Sequence, residues 1–396
     1  MSAHQGLLAV CLLVSCGAVL ASDYQPHPWY TDSGLAITPE LGLTSGYDDN
    51  LTYSPDDQLD SWFNIMAPMV ALRTGHNLRY SELSYRGRYG RYIDSSYDDY
   101  NDHTGQLKSH YELSARQRLG GSYTFSRGHE ARGDGLSEGI GNTIAEPLRT
   151  EEQRLRLSYG LGARSSRHNL ELSGALSALD YLNYREFTAR RDREQWLANM
   201  VFSRRHSARF AWVADVRGLW TSYPLDEQEI SSDNRSTRLL FGGKWEIANL
   251  LDGRATAGVE HKDFDDSQRE NFRGFTWDVS LDWQPSPLHR LQLSTGREAK
   301  EPNNFGDYVL ESTGKLQWRY QLRPLWSLDM GGGYTQRAYT GVNRTDDLWQ
   351  TNVGTTYDFR RWLSLSLGWA FVDQQSNIDL LSYDKQLLWL NIKITR

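Results

Sequence analysis

The chain has no cysteine after position 16 and no long apolar run after its first 21 residues. Cys11 and Cys16 both lie in the N-terminal apolar stretch, so the remainder can form neither a disulfide framework nor a cysteine metal site. A membrane-spanning helix needs about 20 consecutive apolar residues, and none follow that stretch. These absences exclude a disulfide-rich secreted domain and a helical membrane protein.

Basic residues are also fewer than acidic residues. The 43 basic residues are outnumbered by 50 acidic ones, which gives a formal net charge of −7, and only seven of the basic residues are lysines. Nucleic-acid-binding domains are usually basic. We therefore expect no nucleic-acid partner.

The N-terminus reads MSAHQGLLAVCLLVSCGAVLAS, an apolar run from Gly6 to Leu20 that ends in small residues. Val19 and Ala21 have the spacing of a secretory cleavage site. We predict a signal peptide over residues 1–21, followed by a short periplasmic segment over residues 22–36. The alternative is a bacterial lipoprotein, because LVSC at 13–16 fits a lipidation motif with Cys16 as the modified residue.

Aromatic residues, by contrast, are abundant at 12% of the chain, with 14 Trp and 22 Tyr. Many stand in alternating segments such as GFTWDVSLDWQ at 274–284, where large apolar side chains alternate with polar ones. About eighteen such segments recur along the chain. A period of two is typical of β-strands with two different environments on their faces.

The connectors between these segments sort by position. Every other one is long and acidic, as in 48–60 and 93–104, whereas the intervening ones are short, as in TGHN from 74 and SPLH from 286. Bacterial outer-membrane barrels have long loops on one side and tight periplasmic turns on the other. The pattern predicts an all-β, antiparallel outer-membrane barrel of about eighteen strands over residues 37–396, with both termini in the periplasm of a Gram-negative bacterium.

Charged residues occupy the strand face opposite the apolar residues, and their burial in a dry core would be very costly. A barrel of this size can hold a water-filled lumen. We therefore predict that the lumen is lined by Arg154, Arg156, Arg209, Asp215, Arg217, Arg238, Lys244, Asp278, Asp282, Lys315 and Arg319. Tryptophans anchor barrels in the head-group layers of the membrane. The predicted interfacial girdles contain Trp212, Trp220, Trp277, Trp283, Trp318 and Trp369.

The sequence offers no motif for covalent chemistry. The ten histidines are scattered, and no spaced cluster such as HExxH occurs. The Asp-rich connectors lack the glycine and closing glutamate of a calcium-binding loop. We expect no catalytic residue, no metal site and no cofactor.

Residues 37–103 carry three local features: GYDDN at 46–50, Ala67-Pro68 in the second strand, and GRY at 90–92 before an Asp-rich loop. With these features the sequence resembles the putative β-barrel porin 2 family of outer-membrane proteins. The resemblance implies a conduit for exopolysaccharide or capsular polysaccharide, working with periplasmic polysaccharide-export and copolymerase proteins. Its surroundings would be outer-membrane lipid and lipopolysaccharide.

Two alternatives stay open at this stage, a general or solute-specific diffusion porin and a structural or adhesive surface barrel. The Gly-rich connector at 130–150, EARGDGLSEGIGNTIAEPLRT, is a candidate for folding inward as a constriction. The alternative is a flexible outer loop.

Overall fold

The computed structural model describes residues 26–224, 231–247, 250–303 and 305–396. The predicted signal peptide therefore lies outside the described residues. The described helices are single turns, and none of them is long and apolar enough to span a membrane. Nearly all other regular structure is β-strand.

Nineteen strands form one antiparallel sheet. Their bounds are β1 Trp29–Tyr30, β2 Ala36–Asp48, β3 Ser61–His76, β4 Arg79–Tyr92, β5 Tyr100–Ser114, β6 Gln117–Glu130, β7 Leu148–Leu161, β8 His168–Tyr181, β9 Arg193–Arg205, β10 Phe210–Ser222, β11 Asn234–Ile247, β12 Leu251–Phe264, β13 Phe272–Ser286, β14 His289–Lys300, β15 Val309–Arg323, β16 Trp326–Tyr339, β17 Thr345–Arg360, β18 Leu363–Ser376 and β19 Tyr383–Thr395. One short α-helix, α1, spans Arg185–Thr188.

Eighteen of the strands, β2 to β19, close into a barrel because β19 pairs with β2. The register at this seam runs from Leu387 opposite Asp48 to Thr395 opposite Glu40. The predicted eighteen-stranded antiparallel barrel is confirmed. Closure leaves no exposed edge among strands β2 to β19, as a barrel in lipid requires.

The connectors differ between the two ends of the barrel. Even-numbered strands are followed by the long connectors, among them 49–60, 131–147 and 182–192, and odd-numbered strands by turns as short as 77–78 and 287–288. The chain enters β2 and leaves β19 at the end that carries the short turns. We call the opposite end, which carries the long connectors, the long-loop end.

Alternation along each strand sends successive side chains to opposite faces. On β13, Phe275 is 58% exposed on the outer face, whereas Thr276 beside it is fully buried on the inner face. Outer-face residues such as Phe241 on β11 and Leu367 on β18 are likewise exposed. The outer face is therefore the apolar one, as expected for contact with lipid.

Apolar side chains also occur on the inner face near the long-loop end. Phe63 and Ile65 on β3, Tyr100 on β5 and Leu387 on β19 form a buried cluster inside the barrel wall. A second cluster joins Leu136, Ile144, Leu148 and Tyr181. Much of this end of the lumen is therefore packed rather than open.

Candidate permeation pathway

The connector over residues 131–147 folds into the mouth of the barrel, and we call it the inward connector. Its Gly-rich sequence makes this possible at Gly133, where φ is +85° and an added Cβ would lie 1.7 Å from the carbonyl oxygen of Thr52. Only glycine combines a left-handed backbone with so close an approach. The inward connector is thus packed directly on the connector 49–60.

Polar contacts fix the inward connector on its near side. The guanidinium of Arg132 donates to Asp98 at 2.8 Å, and both side chains are buried. The hydroxyl of Tyr184, a residue with φ of +51°, accepts hydrogen bonds from the backbone N–H groups of Ala145 and Glu146 at 2.9 and 3.0 Å. Two other connectors thereby hold the two ends of the segment.

The far side is held across the lumen. Glu138 accepts a hydrogen bond at 3.0 Å from Arg344, which lies in the connector before β17 and also binds Asp346 at 2.9 Å. Asn142 donates to the hydroxyl of Ser54 at 3.1 Å. The inward connector therefore reaches from β6 to the opposite wall and narrows the opening.

A cavity of 410 Å³ lies beneath the inward connector. The connector contributes Asp134 and Glu138 to its lining, so this side is acidic. The facing wall contributes most of the cations, which are Arg217, Arg238, Lys300, Lys315 and Arg337. We call it the basic wall, although it also carries the carboxylates Asp278, Glu298, Glu301 and Glu311. The inward connector thus presents only acidic charged groups to the cavity, whereas the basic wall presents cations interleaved with carboxylates.

Most wall cations are bound to carboxylates. Arg238 donates to Glu298 at 2.9 Å, whereas Lys300 and Arg337 share Glu311 at 2.6 and 3.2 Å. Such pairing offsets the cost of removing each charge from water. These networks also keep the side chains in fixed positions along the wall.

Burial dominates the electrostatics of the inward connector. It raises the pKa of the Asp134 carboxyl, although the N–H of Gly135 opposes the shift by donating to the carboxylate. Burial also raises the pKa of Glu138, and the neighbouring Arg344 counteracts it. Both carboxyls therefore take up a proton more readily in the inward conformation than in water.

The structure places the predicted lumenal residues in three groups. Arg217, Arg238, Asp278 and Lys315 line the cavity. Four others are held by neighbours on the inner face: Asp215 by Arg254 and Asn199, Asp282 by Arg290 and Gln292, Arg319 by Asp329, and Arg154 by Glu152. Arg156 and Lys244 are exposed on the inner face of β7 and β11.

Arg209 differs from the other predicted lumenal residues. It lies in the turn between β9 and β10, one residue before Phe210 begins the strand, and it is exposed. The alternation predicted that β10 would include Arg209, but the turn after β9 extends to this residue. Arg209 is therefore not part of a strand. Asp278 and Asp282, the two carboxylates of GFTWDVSLDWQ, are also separated, since only Asp278 reaches the cavity.

The predicted girdle tryptophans lie at different depths on the outer face. Trp212 and Trp283 are near the short-turn ends of β10 and β13, and Trp220 is near the long-loop end of β10. Trp277 and Trp318 are half-buried. Trp369 lies midway along β18.

Sequence reasoning missed several residues of the pathway. Glu138 and Arg344 meet although they are 206 positions apart, so no local pattern could pair them. The alternation could have identified Lys300, Glu298 and Glu311 as lumenal, because each lies on the polar face of an alternating strand. In the described part of the chain, no group of three or more acidic or histidine side chains could hold a metal ion.

Comparison with known proteins agrees with this geometry. The family model described as Putative beta-barrel porin 2 matches residues 34–396. No curated protein matches the sequence. Among solved structures from Pseudomonas aeruginosa, OpdO is similar with a TM-score of 0.50, 12% identity, and coverage of 91% of this chain and 97% of OpdO.

Two further structures from that organism are similar. OpdK with vanillate has a TM-score of 0.50 and 11% identity, and the match covers 91% of this chain and 99% of OpdK. OccK2 (OpdF) has a TM-score of 0.51 and 9% identity, with 91% and 98% covered. At such low identity these likenesses show a shared fold.

Proposed function

Since the chain belongs to the Putative beta-barrel porin 2 family of the Gram-negative outer membrane, we propose that it is a passive diffusion channel for small organic anions. The observation that carries the proposal is the 410 Å³ cavity between the inward connector and the basic wall. A space of this volume suits one small solute. No covalent step is involved.

The charges of the cavity support a carboxylate as the permeating group. Arg238, Lys300 and Arg337 already hold Glu298 and Glu311. Lys315 lines the cavity and has no carboxylate within 4.0 Å among the residues that the structure describes. Weak, replaceable contacts suit conduction, because a solute must leave each site as readily as it enters.

The solved OpdK structure contains vanillate, a molecule with an aromatic ring and a carboxylate. Its fold is similar to that of this chain, so an aromatic carboxylate is a suitable first solute to test. The cavity offers a place for the ring, since its lining includes Tyr53, Tyr339 and Tyr383. The carboxylate would pass along the basic wall.

Export of a polysaccharide, inferred above from the family resemblance, is less well supported. A sliding polymer needs a continuous wide path, whereas the inward connector crosses the mouth and is bound to the walls on both sides. The solved structure of OpdK, which has a similar fold, contains vanillate, a small solute rather than a polymer. The diffusion hypothesis therefore replaces polysaccharide export as the preferred function.

The test is uptake by liposomes that contain the full chain. We expect benzoate to enter faster than benzamide, which has the same ring without the charge. Lys315→Met should lower benzoate entry and leave benzamide entry unchanged. Lys108→Met is the matched control, because Lys108 lies on the inner face of β5 and is not part of the cavity lining.

Equal entry of the charged and neutral solutes in every variant would overturn the proposal. A second measurement separates it from export. If deletion of the gene abolished surface polysaccharide while purified protein admitted neither solute, the polymer conduit would be the correct function.

A further inference from the structure

Four basic side chains lie together on the outer face of the barrel near its long-loop end. They are Arg235 on β11, His261 on β12, Arg273 on β13 and Arg297 on β14, and we call them the outer basic cluster. Their neighbours on the same strand faces are apolar and exposed, namely Leu239, Val259 and Phe275 at 49, 52 and 58%. The cluster therefore faces away from the lumen.

Strand register brings Arg235, His261 and Arg273 together, and Arg297 lies further along, at the level of Trp277 on β13. His261 is directly opposite Arg273, and Arg297 is opposite Trp277. Arg235 is opposite Asp263, whose carboxylate is bound at 2.7 Å by His261. The outer faces of these four strands thus carry three arginines and a histidine together with Asp263, and Asp233 and Asp265 lie just beyond the strand ends.

The arginines of this cluster differ from other outward arginines at the same end. Arg91 lies 3.7 Å from Asp99, and Arg127 lies 2.7 Å from Glu151. Within the ranges that the structure describes, Arg235 and Arg273 have no carboxylate within 4.0 Å. The buried Nε of Arg297 has no hydrogen-bond partner there either. The guanidinium groups of Arg235 and Arg273 therefore have donors to offer to an external anion.

Aromatic side chains mark the depth of the cluster in the membrane. The guanidinium of Arg235 lies 5.3 Å from the ring of Trp220, and that of Arg297 lies 5.8 Å from the ring of Trp277. Trp220 is exposed near the end of β10, and tryptophans in such positions are typical of the level of the lipid head groups. Arginine at that level meets lipid phosphates.

An outer-face groove of 780 Å³ leads up to Arg235. It is lined by Leu155, Leu157, Leu176, Trp196 and Trp220, and Arg235 lies on its rim with Glu194, Asp233 and Asp265. The small residues Gly174 and Ala198 leave room between the larger side chains. The groove has the character and the position needed for an acyl chain whose head group ends at the cluster.

We propose that the outer basic cluster binds the phosphate of a phosphorylated glycolipid of the outer leaflet, with one acyl chain in the groove. The guanidinium group matches phosphate geometry with two parallel hydrogen bonds. Charge complementarity selects this occupant, since a neutral lipid would leave the arginines without a counter-ion. The site is independent of the permeation pathway, from which the barrel wall separates it.

The experiment uses the full chain in detergent and measures bound lipid by native mass spectrometry. The probes are bis-phosphorylated lipid A and the same molecule after removal of both phosphates. We expect at least a tenfold higher affinity for the phosphorylated form. The double variant Arg235→Gln/Arg273→Gln should remove that preference.

The matched control is Arg91→Gln/Arg127→Gln, which alters outward arginines that already have carboxylate partners. It should keep the preference. Arg235→Lys/Arg273→Lys retains the charge and should keep a reduced preference, which distinguishes a lost site from a misfolded barrel.

Three results would overturn the proposal. The wild-type chain could bind both lipids equally, which would leave only apolar contacts. The glutamine variant at 235 and 273 could bind as tightly as wild type. Binding could also disappear on chelation of divalent cations, which would assign it to metal ions bridging the acidic connectors.

Discussion

The closed position of the inward connector depends on a glycine, and Gly133→Ala tests this dependence. A left-handed backbone costs an L-residue about 1–2 kcal/mol relative to glycine. From this term alone, the ratio of inward to displaced conformations falls by a factor of about 5–30. The added Cβ would also lie 1.7 Å from the oxygen of Thr52, so the segment must shift to accommodate it.

The assay is single-channel recording in a planar bilayer. We expect Gly133→Ala to show a larger mean conductance and more frequent transitions than the wild-type chain. Gly105→Ala is the control, because the φ of Gly105 lies outside the left-handed region and nothing lies within 4 Å of an added Cβ. It should behave as wild type.

A disulfide sharpens the test. Asn142 and Ser54 touch at 3.1 Å, and both cysteines of the chain lie within its first 16 residues. Replacing both residues by cysteine in the Gly133→Ala background should restore low conductance under oxidising conditions, and a reductant should reverse this. If Gly133→Ala and wild type gave the same conductance and noise, the inward connector would not control the pore.

The remaining predictions concern the same segment. Burial raises the pKa of Asp134 and Glu138, so the inward conformation binds protons more tightly than a displaced one. Lowering the pH towards the raised pKa values of these carboxyls should therefore stabilise it and reduce conductance, and Asp134→Asn/Glu138→Gln should weaken this dependence. Leu148→Ala should destabilise the packing of the connector by about 2–5 kcal/mol and raise its cleavage by added protease at least tenfold, whereas lipid-exposed Leu157→Ala should not. Arg344→Met leaves Glu138 and Asp346 buried without their cation, so it should also increase cleavage and conductance, and unchanged values would contradict the assigned role.

Much of the barrel could be predicted from the sequence because the relevant signals are local. Alternation has a period of two residues, and the contrast between long and short connectors spans about twenty. Both signals are sufficient here because most strands pair with their neighbours in sequence, as β12 pairs with β13. Strand number and the direction of each face follow from them.

The contents of the lumen could not be predicted in the same way. The inward connector is held by Thr52, Asp98, Tyr184 and Arg344, which belong to four separate connectors. Its glycines allowed an inward fold but did not identify these partners. Contacts between distant loops depend on how far each segment reaches across the opening, and periodicity carries no information on that.

Some side chains depart from the simple rule that charged residues face the lumen and apolar residues face lipid. Phe63 and Leu387 face inward because that part of the lumen is packed and dry. Arg235 and Arg273 face outward because the ends of strands lie at the level of head groups rather than acyl chains. The strand faces were predictable at these positions, whereas the environment beyond each face was not.

The seam between β19 and β2 has a consequence for the order of assembly. Every other neighbouring pair of barrel strands forms a hairpin within one short stretch of chain, whereas the seam joins the two ends. Loop-closure entropy makes this last step about 2.5 kcal/mol more costly than closing a hairpin. Closure of the barrel at this seam is therefore expected to be the slowest step of barrel assembly.

Residues just before the barrel reinforce that seam. Trp29 pairs with Ile37 on β2, and its ring lies 4.7 Å from the guanidinium of Arg396. The N–H of His27 also donates to the carbonyl oxygen of Arg396 at 2.9 Å. The leading segment thus acts as a latch on the two chain ends, and without it the hairpins would form normally while the finished cylinder would appear late.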